Sequence, residues 1–368
     1  MITLTSPGAL SSQALAAARF CWWYVDVVDE FGNGAVIIVA RGMPFLVTAP
    51  DKPAVSIALY GGGRQVFYVL QELADDDFAH VVDGDRERVS AGGVSITLRR
   101  AADGSLDVDA AFDVVVDGVS DAKGVLALKG VARRAADSDV GEDGVVHAWS
   151  VQSGPATAVV DGVFDGKRVR IEGRGYSDRN VGAVDIPALG IGHWWWCRVA
   201  SDDGKSRVVY ALTSSDGAAE RVVGLTVDAD GHSVVTEGLR LVPRRTTRAF
   251  GHQAFVDVDA VDAGGVVFAA LRDIVVVERG PFYVRGLLKN GVCEHVWPER
   301  FDVGVLAPLV RMRVSPRDAR RQSWWLPLFC GLGETRWSRL ARAWRARLSP
   351  RPSSKPALSP KSERGAPT

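Results

Sequence analysis

The sequence predicts an all-β protein built as two similar antiparallel barrel or sandwich domains in tandem, followed by a basic tail. Three observations carry that expectation. The 368 residues include 39 glycines and abundant valine, with Asp-Gly and Asn-Gly pairs between apolar runs, the composition of strands joined by tight turns. Short strand-like runs recur at near-regular spacing, which fits a barrel or sandwich and not a βαβ fold. An aromatic hairpin at Trp22-Trp23-Tyr24 has an echo at Trp194-Trp195-Trp196, and a chain of this length favours about two domains.

Taken in order, Ser12 to Ala18 carries a short Ala-rich helix signal. Phe20 to Val28 reads as a strand, Asp29 to Gly34 turns it, and Ala35 to Ala40 returns, a hairpin with its loop chemistry in place. Ala54 to Tyr60 and Gln65 to Leu70 form a second pair around Gly61-Gly62-Gly63. That glycine run is no phosphate loop, since no Lys-Ser/Thr and no helix pattern follow it. Strands are expected at Val94 to Arg99, Leu106 to Val116 and Val125 to Leu128, then a polar loop over Arg133 to Asp143. His147 to Gln152, Thr157 to Val163 and Arg168 to Gly173 continue the pattern, with Asp165-Gly166 as a turn. Gly173 and Gly175 could host a bulge that re-aims the strand.

A second block opens near Gly190, placing the first domain at residues 1–185 and the second at 186–314. Its strands are expected at Ile191 to Val199, Ser206 to Thr213, Arg221 to Val227, Ser233 to Leu241 and Gln253 to Val261. Gly265 to Val277, Pro281 to Leu288, Cys293 to Arg300 and Val305 to Val314 complete it. From Ser315 the composition changes. Glu334 to Ser349 reads as a helix with Trp337, Leu340, Trp344 and Leu348 on one stripe and arginines mostly elsewhere. That is the pattern of an interfacial helix on anionic lipid, and equally of a helix docked on the second domain. Pro350 to Thr368 has a disordered composition.

The formal charge is zero, but Arg311 to Thr368 holds fourteen basic against three acidic residues, so about +11 there balances about −11 elsewhere. Such a split suggests a tail with a separate task, and its aromatic stripe favours lipid or protein over nucleic acid. Cys21, Cys197, Cys293 and Cys330 form no C-x-x-C, which suggests a reducing compartment and no zinc site. Met1 to Phe20 has no secretory pattern, and no apolar stretch approaches the ~18 residues of a spanning helix. A cytoplasmic protein is therefore expected.

Two stretches carry candidate chemistry. In a strand, residues two apart share a face, so His147 pairs with Trp149 and Tyr176 with Asp178. An acid beside aromatic faces is what a site needs to protonate an alkene and shelter a carbocation. On residue types alone, the same four read more readily as core and turn groups. His193 is a further polar candidate that reads best as a strand-end histidine.

The residues resemble the carotenoid 1,2-hydratase (hydroxyneurosporene synthase) family. The likeness runs from Trp22-Trp23-Tyr24-Val25-Asp26 through Ile37-Ile38, His147-Ala148-Trp149 and Gly175 to Gly182, to Trp194/Trp196 and Arg279 to Arg285. The resemblance implies two lipocalin-like barrels and a catalytic set of Asp178, His147, Tyr176 and Trp149. Trp23, Trp194, Trp196 and Asn180 are then expected at the substrate. It implies an acyclic carotene or similar long isoprenoid, hydrated without cofactor or metal. Asp178 would protonate the terminal alkene, Trp149 and Tyr176 would face the cation, and His147 would orient water. The family's acidic motif reads Tyr-x-Asp-His-Asn-x-Gly, often with Trp before the last Gly; here Arg179 and Val181 stand at those two places. An adjacent arginine would depress an acid, unless strand alternation turns it away. An isoprenoid cyclase using the same acid and a non-catalytic lipid-binding barrel are the alternatives. Asp178 and Trp149 in different cavities would exclude both enzymatic readings. So apolar a substrate must come from a bilayer, so the basic tail is expected on the anionic surface of the cytoplasmic membrane.

Overall fold

The computed structural model describes residues 2–42, 52–116, 119–141, 145–184, 186–201, 203–218, 220–249, 252–279 and 283–296. The Val305 to Val314 strand, the Glu334 to Ser349 helix and the rest of the basic tail lie outside the described residues. Three sheets, antiparallel but for one short parallel pairing, hold the strands of the described residues.

The first sheet has thirteen strands. Its centre is Phe20–Val28 beside Lys167–Gly182, flanked by Gly34–Arg41 on one side and Ser153–Phe164 on the other. The sheet curls, so that Trp23 in the Phe20–Val28 strand meets Glu87 in the Arg86–Ala91 strand, one strand from the sheet's far edge. Its inner surface is closed by aliphatic side chains such as Val25, Val89, Ile96, Leu98 and Val108, all fully buried. Thr3–Leu4 adds a short parallel pairing to Ala148 and Trp149. The short helix is present at Ser12–Ala17, its N-terminus capped by the Ser11 hydroxyl accepting from the Ala14 amide at 2.9 Å. At the Asp165-Gly166 turn both residues take positive φ (50° and 73°), as a two-residue hairpin requires.

Seven strands between Ile191 and Val296 form the second sheet, and Arg240–Ala249, His252–Val261 and Val267–Leu271 form the third. The second sheet lies between the other two. Trp194, Trp196, Tyr210 and Val296 pack into the first sheet's core cluster, while Trp195, Cys197, Val209 and Cys293 join Val258, Ala260 and Leu271 of the third sheet. Alternation along Ile191–Ala200 thus serves two cores at once.

Several expectations are corrected. Gly265 to Val277 is two strands in different sheets, Val267–Leu271 and Val275–Arg279, with Asp273 at φ 54° between them. Ser233 to Leu241 likewise breaks at Gly238 (φ 71°), and Arg240–Ala249 starts the third sheet. Phe78–Asp83 and Arg86–Ala91 are strands without a counterpart in the sequence reading, because Glu87 occupies an inward position and masks the alternation. No register shift interrupts Lys167–Gly182 at Gly173 or Gly175, so no bulge re-aims it. Cys197 and Cys293 sit opposite each other on paired strands and are joined as a disulfide.

Candidate active site

The site lies where the centre of the first sheet faces the second. Along Lys167–Gly182 the burial changes character. Lys167 to Arg174 keeps an exposed outer face, whereas every residue from Gly175 to Gly182 is buried. The outer face of the strand there becomes an inner one because the second sheet covers it. Tyr176, Asp178 and Asn180 are on that face. Unbroken pairing sets Asp178 opposite Tyr24 and Val151, and Asn180 opposite Trp22 and Trp149. The echo of the two aromatic hairpins has a spatial counterpart: Trp22 and Tyr24 look across at Trp194 and Trp196, with the Tyr24 and Trp196 rings 5.8 Å apart.

Between the sheets is a small cavity of ≈ 70 Å³, open at its mouth. Trp22, Tyr24, Ile38, Trp149, Asp178 and Asn180 line it from the first sheet, and Trp194, Trp196, Tyr210, Tyr283, Arg285, Glu294 and Val296 from the second. Its wall is mostly aromatic, which suits an apolar group.

Asp178 brings a carboxyl to the cavity wall. The Trp149 indole N–H donates to its Oδ2 at 2.9 Å and the Tyr176 hydroxyl donates to the same oxygen at 2.8 Å. Burial raises the carboxyl to about 7, with those two bonds pulling the other way. With both donors on Oδ2, the proton of the neutral acid belongs on Oδ1. Burial and the Asp178 charge push the Tyr176 phenol well up, so it stays a donor. Arg198 on the second sheet pairs with the fully buried Asp26 and lies 5.9 Å from the Tyr176 ring centroid. The Tyr24 hydroxyl, on the same strand, donates to Asp26 Oδ2 at 2.9 Å, and the Arg198–Asp26 pair ties the two sheets together.

Asp178, Trp149, Asn180, Trp194 and Trp196, expected from sequence, all line the one cavity. Three others stand differently. Tyr176 holds Asp178 from behind and is not among the lining residues. His147 lies behind Asn180, its Nε2 3.2 Å from Asn180 Oδ1. Burial lowers His147 to about 4, leaving it a neutral imidazole. Trp23 is on the opposite face of its strand, where its indole N–H donates to Glu87 Oε1 at 3.0 Å. Alternation brings Trp22, not Trp23, to the cavity.

Arg179 and Val181, the two departures from the family motif, are also on that opposite face. Arg179 reaches Glu87 at 3.0 Å, inside the first sheet, and so does not bear on Asp178. Burial alone would raise Glu87, but Arg179 and the His80 bond bring it down to about 2. Sequence reasoning missed Tyr24, Tyr210, Arg285 and Glu294 as cavity groups. Tyr24 and Arg285 were visible within the stretches that carry the family likeness. Nothing local marked Tyr210 or Glu294.

Curled antiparallel sheets around an aromatic cavity resemble lipocalin-like barrels. The chain matches the structure of a Nitrosomonas europaea protein described as AttH at 15% identity and a TM-score of 0.51, over 78% of this chain and 97% of that one. It matches CghA at 16% identity and a TM-score of 0.52, over 79% of this chain and 94% of that one. At such identity these likenesses speak to fold. No curated protein matches the chain. Residues 51–324 match the family model of the carotenoid hydratase CrtC, and the chain belongs to that family. It is accordingly a hydro-lyase, of a family whose substrates are isoprenoids of the carotenoid class. The match runs past Val314, into the segment the sequence reading had set apart as tail.

Proposed function

We propose that the cleft hydrates the terminal trisubstituted alkene of an acyclic carotene or a similar long isoprenoid, with Asp178 as the acid. The observation that carries this reading is a carboxyl raised to about 7 inside a cavity walled by Trp22, Trp149, Trp194 and Trp196. The end group enters between the sheets. Asp178 Oδ1–H delivers its proton to the less substituted alkene carbon and a tertiary cation forms. The indole rings offer it π faces, each worth about 1–2 kcal/mol when desolvated. Water adds to the cation and the oxonium loses a proton, giving a tertiary alcohol. A positioned acid supplies roughly 10²–10⁴-fold. Tyr176 and Trp149 hold the acid in place, and His147 acts through Asn180 by fixing its amide.

Expression in cells that accumulate lycopene or neurosporene, followed by mass analysis of the pigments, tests the reading. A product heavier by one water is expected. A product of unchanged mass and new retention would replace hydration by cyclisation. Unchanged pigments would remove the assignment of an acyclic carotene.

The composition of Ser315 to Thr368 supports a second part of the proposal, collection of the substrate at an anionic bilayer. Each Lys or Arg near such a surface contributes about 1 kcal/mol. No helix among the described residues is long and apolar enough to cross a membrane. Deletion of Ser315 to Thr368 is expected to abolish sedimentation with phosphatidylserine vesicles at low salt. Undiminished sedimentation would sink the idea.

A further inference from the structure

The hydration proposed above does not name the group that takes the last proton. Once Asp178 has protonated the alkene and water has attacked the cation, the resulting oxonium must lose a proton inside an aromatic cavity. The sequence points to His147 for handling water, but Asn180 stands between His147 and the cavity. Two carboxyl groups line the cavity, Asp178 on the first sheet and Glu294 on the second. They act on each other electrostatically, since Glu294 contributes to raising Asp178.

Glu294 is built in place. Arg285 on the neighbouring strand pairs with its Oε1 at 2.6 Å. Arg285 is held in turn by its Nε–H donating to the Tyr283 hydroxyl at 2.7 Å, with its guanidinium 5.1 Å from the Tyr60 ring centroid. Tyr24 reaches Glu294 Oε1 at 3.5 Å from the Asp178 side. An ion pair in such surroundings adds little to stability, because desolvation offsets its attraction. Its position on the cavity wall opposite the acid gives it a chemical use.

We infer that Glu294, oriented by Arg285, is the general base of the hydration. Asp178 Oδ1–H gives its proton to the alkene carbon as the C–H bond forms, leaving a carboxylate. Water bonds to the tertiary cation and its released proton passes to the Glu294 carboxylate. The net change is addition of one water, with the proton moved from Asp178 to Glu294. Exchange with cavity water then restores both groups. This assignment rests on the hydratase reading and extends it.

The test is turnover of lycopene in phosphatidylcholine vesicles made in heavy water, with the full chain. In Glu294→Gln, hydration is expected to fall by about 10²-fold or more, since a positioned base is missing. Recovered lycopene should still gain deuterium at its terminal alkene carbon, because Asp178 protonates it and the cation reverts. Hydration near the wild-type rate would overturn the assignment, and so would exchange and hydration falling together. Glu294→Ala guards against a folding defect. Formate should restore its hydration where chloride does not, and failure of formate would count against Glu294. Wild-type protein that neither exchanges nor hydrates lycopene would overturn the underlying reading and this assignment with it. Retained exchange with undiminished hydration in Glu294→Gln overturns the assignment alone.

Discussion

Asp178→Asn is expected to lose hydration by about 10²–10⁴-fold, the contribution of a positioned acid, while gaining stability at neutral and higher pH. The asparagine oxygen can accept from Trp149 and Tyr176 as Asp178 Oδ2 does, so the cavity keeps its shape. The gain follows from linkage. A carboxyl raised from 3.8 to about 7 on folding binds its proton more tightly in the folded chain. Its contribution to stability is intact below about 4, declines as pH rises toward about 7, and stays lost above it. The whole loss amounts to roughly 4 kcal/mol. Melting temperatures of the wild type and Asp178→Asn should therefore coincide near pH 4 and diverge by pH 8, with the variant higher. A variant no more stable than the wild type at pH 8 would place the Asp178 carboxyl near its ordinary range. The same titration shapes catalysis. Because the acid must carry its proton, the wild-type rate should fall as pH rises through about 7. A site that is harder to fold when its acid ionises is the usual compromise between stability and activity.

The second large effect is expected at Arg198. Its guanidinium pairs with Asp26 across the two sheets and also donates to the Arg174 carbonyl at 3.2 Å and the Asn290 carbonyl at 3.3 Å. Burial raises Asp26 even with that partner in place. Arg198→Ala leaves a buried carboxyl facing only the Tyr24 hydroxyl, at a cost of ~3–5 kcal/mol. Denaturant unfolding should show the loss. The double variant Asp26→Leu/Arg198→Met should recover most of it, because removing both charges also removes the desolvation cost. An unchanged midpoint in Arg198→Ala would mean that the pair does not clamp the sheets. Hydration should fall in the single variant as well, since Arg198 lies under the ring of Tyr176, which holds Asp178.

Much of this arrangement was readable from local sequence, and the unreadable part has a physical cause. Strand runs such as Phe20 to Val28 and Ile191 to Val199 announce themselves by apolar content and by glycine turns. The His147 and Gly175 stretches were readable as one neighbourhood, and antiparallel pairing of His147–Val151 with Asp178 to Gly182 brings them together. Trp22 shows the limit. Alternation puts Trp22 with Tyr24 and sets Trp23 apart, but a strand buried on both faces does not say which face meets the substrate. The wall formed by Tyr210, Tyr283, Arg285 and Glu294 depends on how the second sheet docks onto the first, a tertiary choice that no local period records. Arg179 makes the same point from the other side. Beside an acid in sequence, it is separated from it by the sheet and answers to Glu87, ninety-two positions away.

The central claim is proton delivery to the alkene followed by water capture of a tertiary cation. Its most direct test is the position of label in the product. With wild-type protein and lycopene in heavy water, one carbon-bound deuterium is expected, on the carbon next to the new tertiary alcohol. A hydrated product with no deuterium on carbon, or with the hydroxyl on the less substituted carbon, would contradict protonation by Asp178 and the cation it generates.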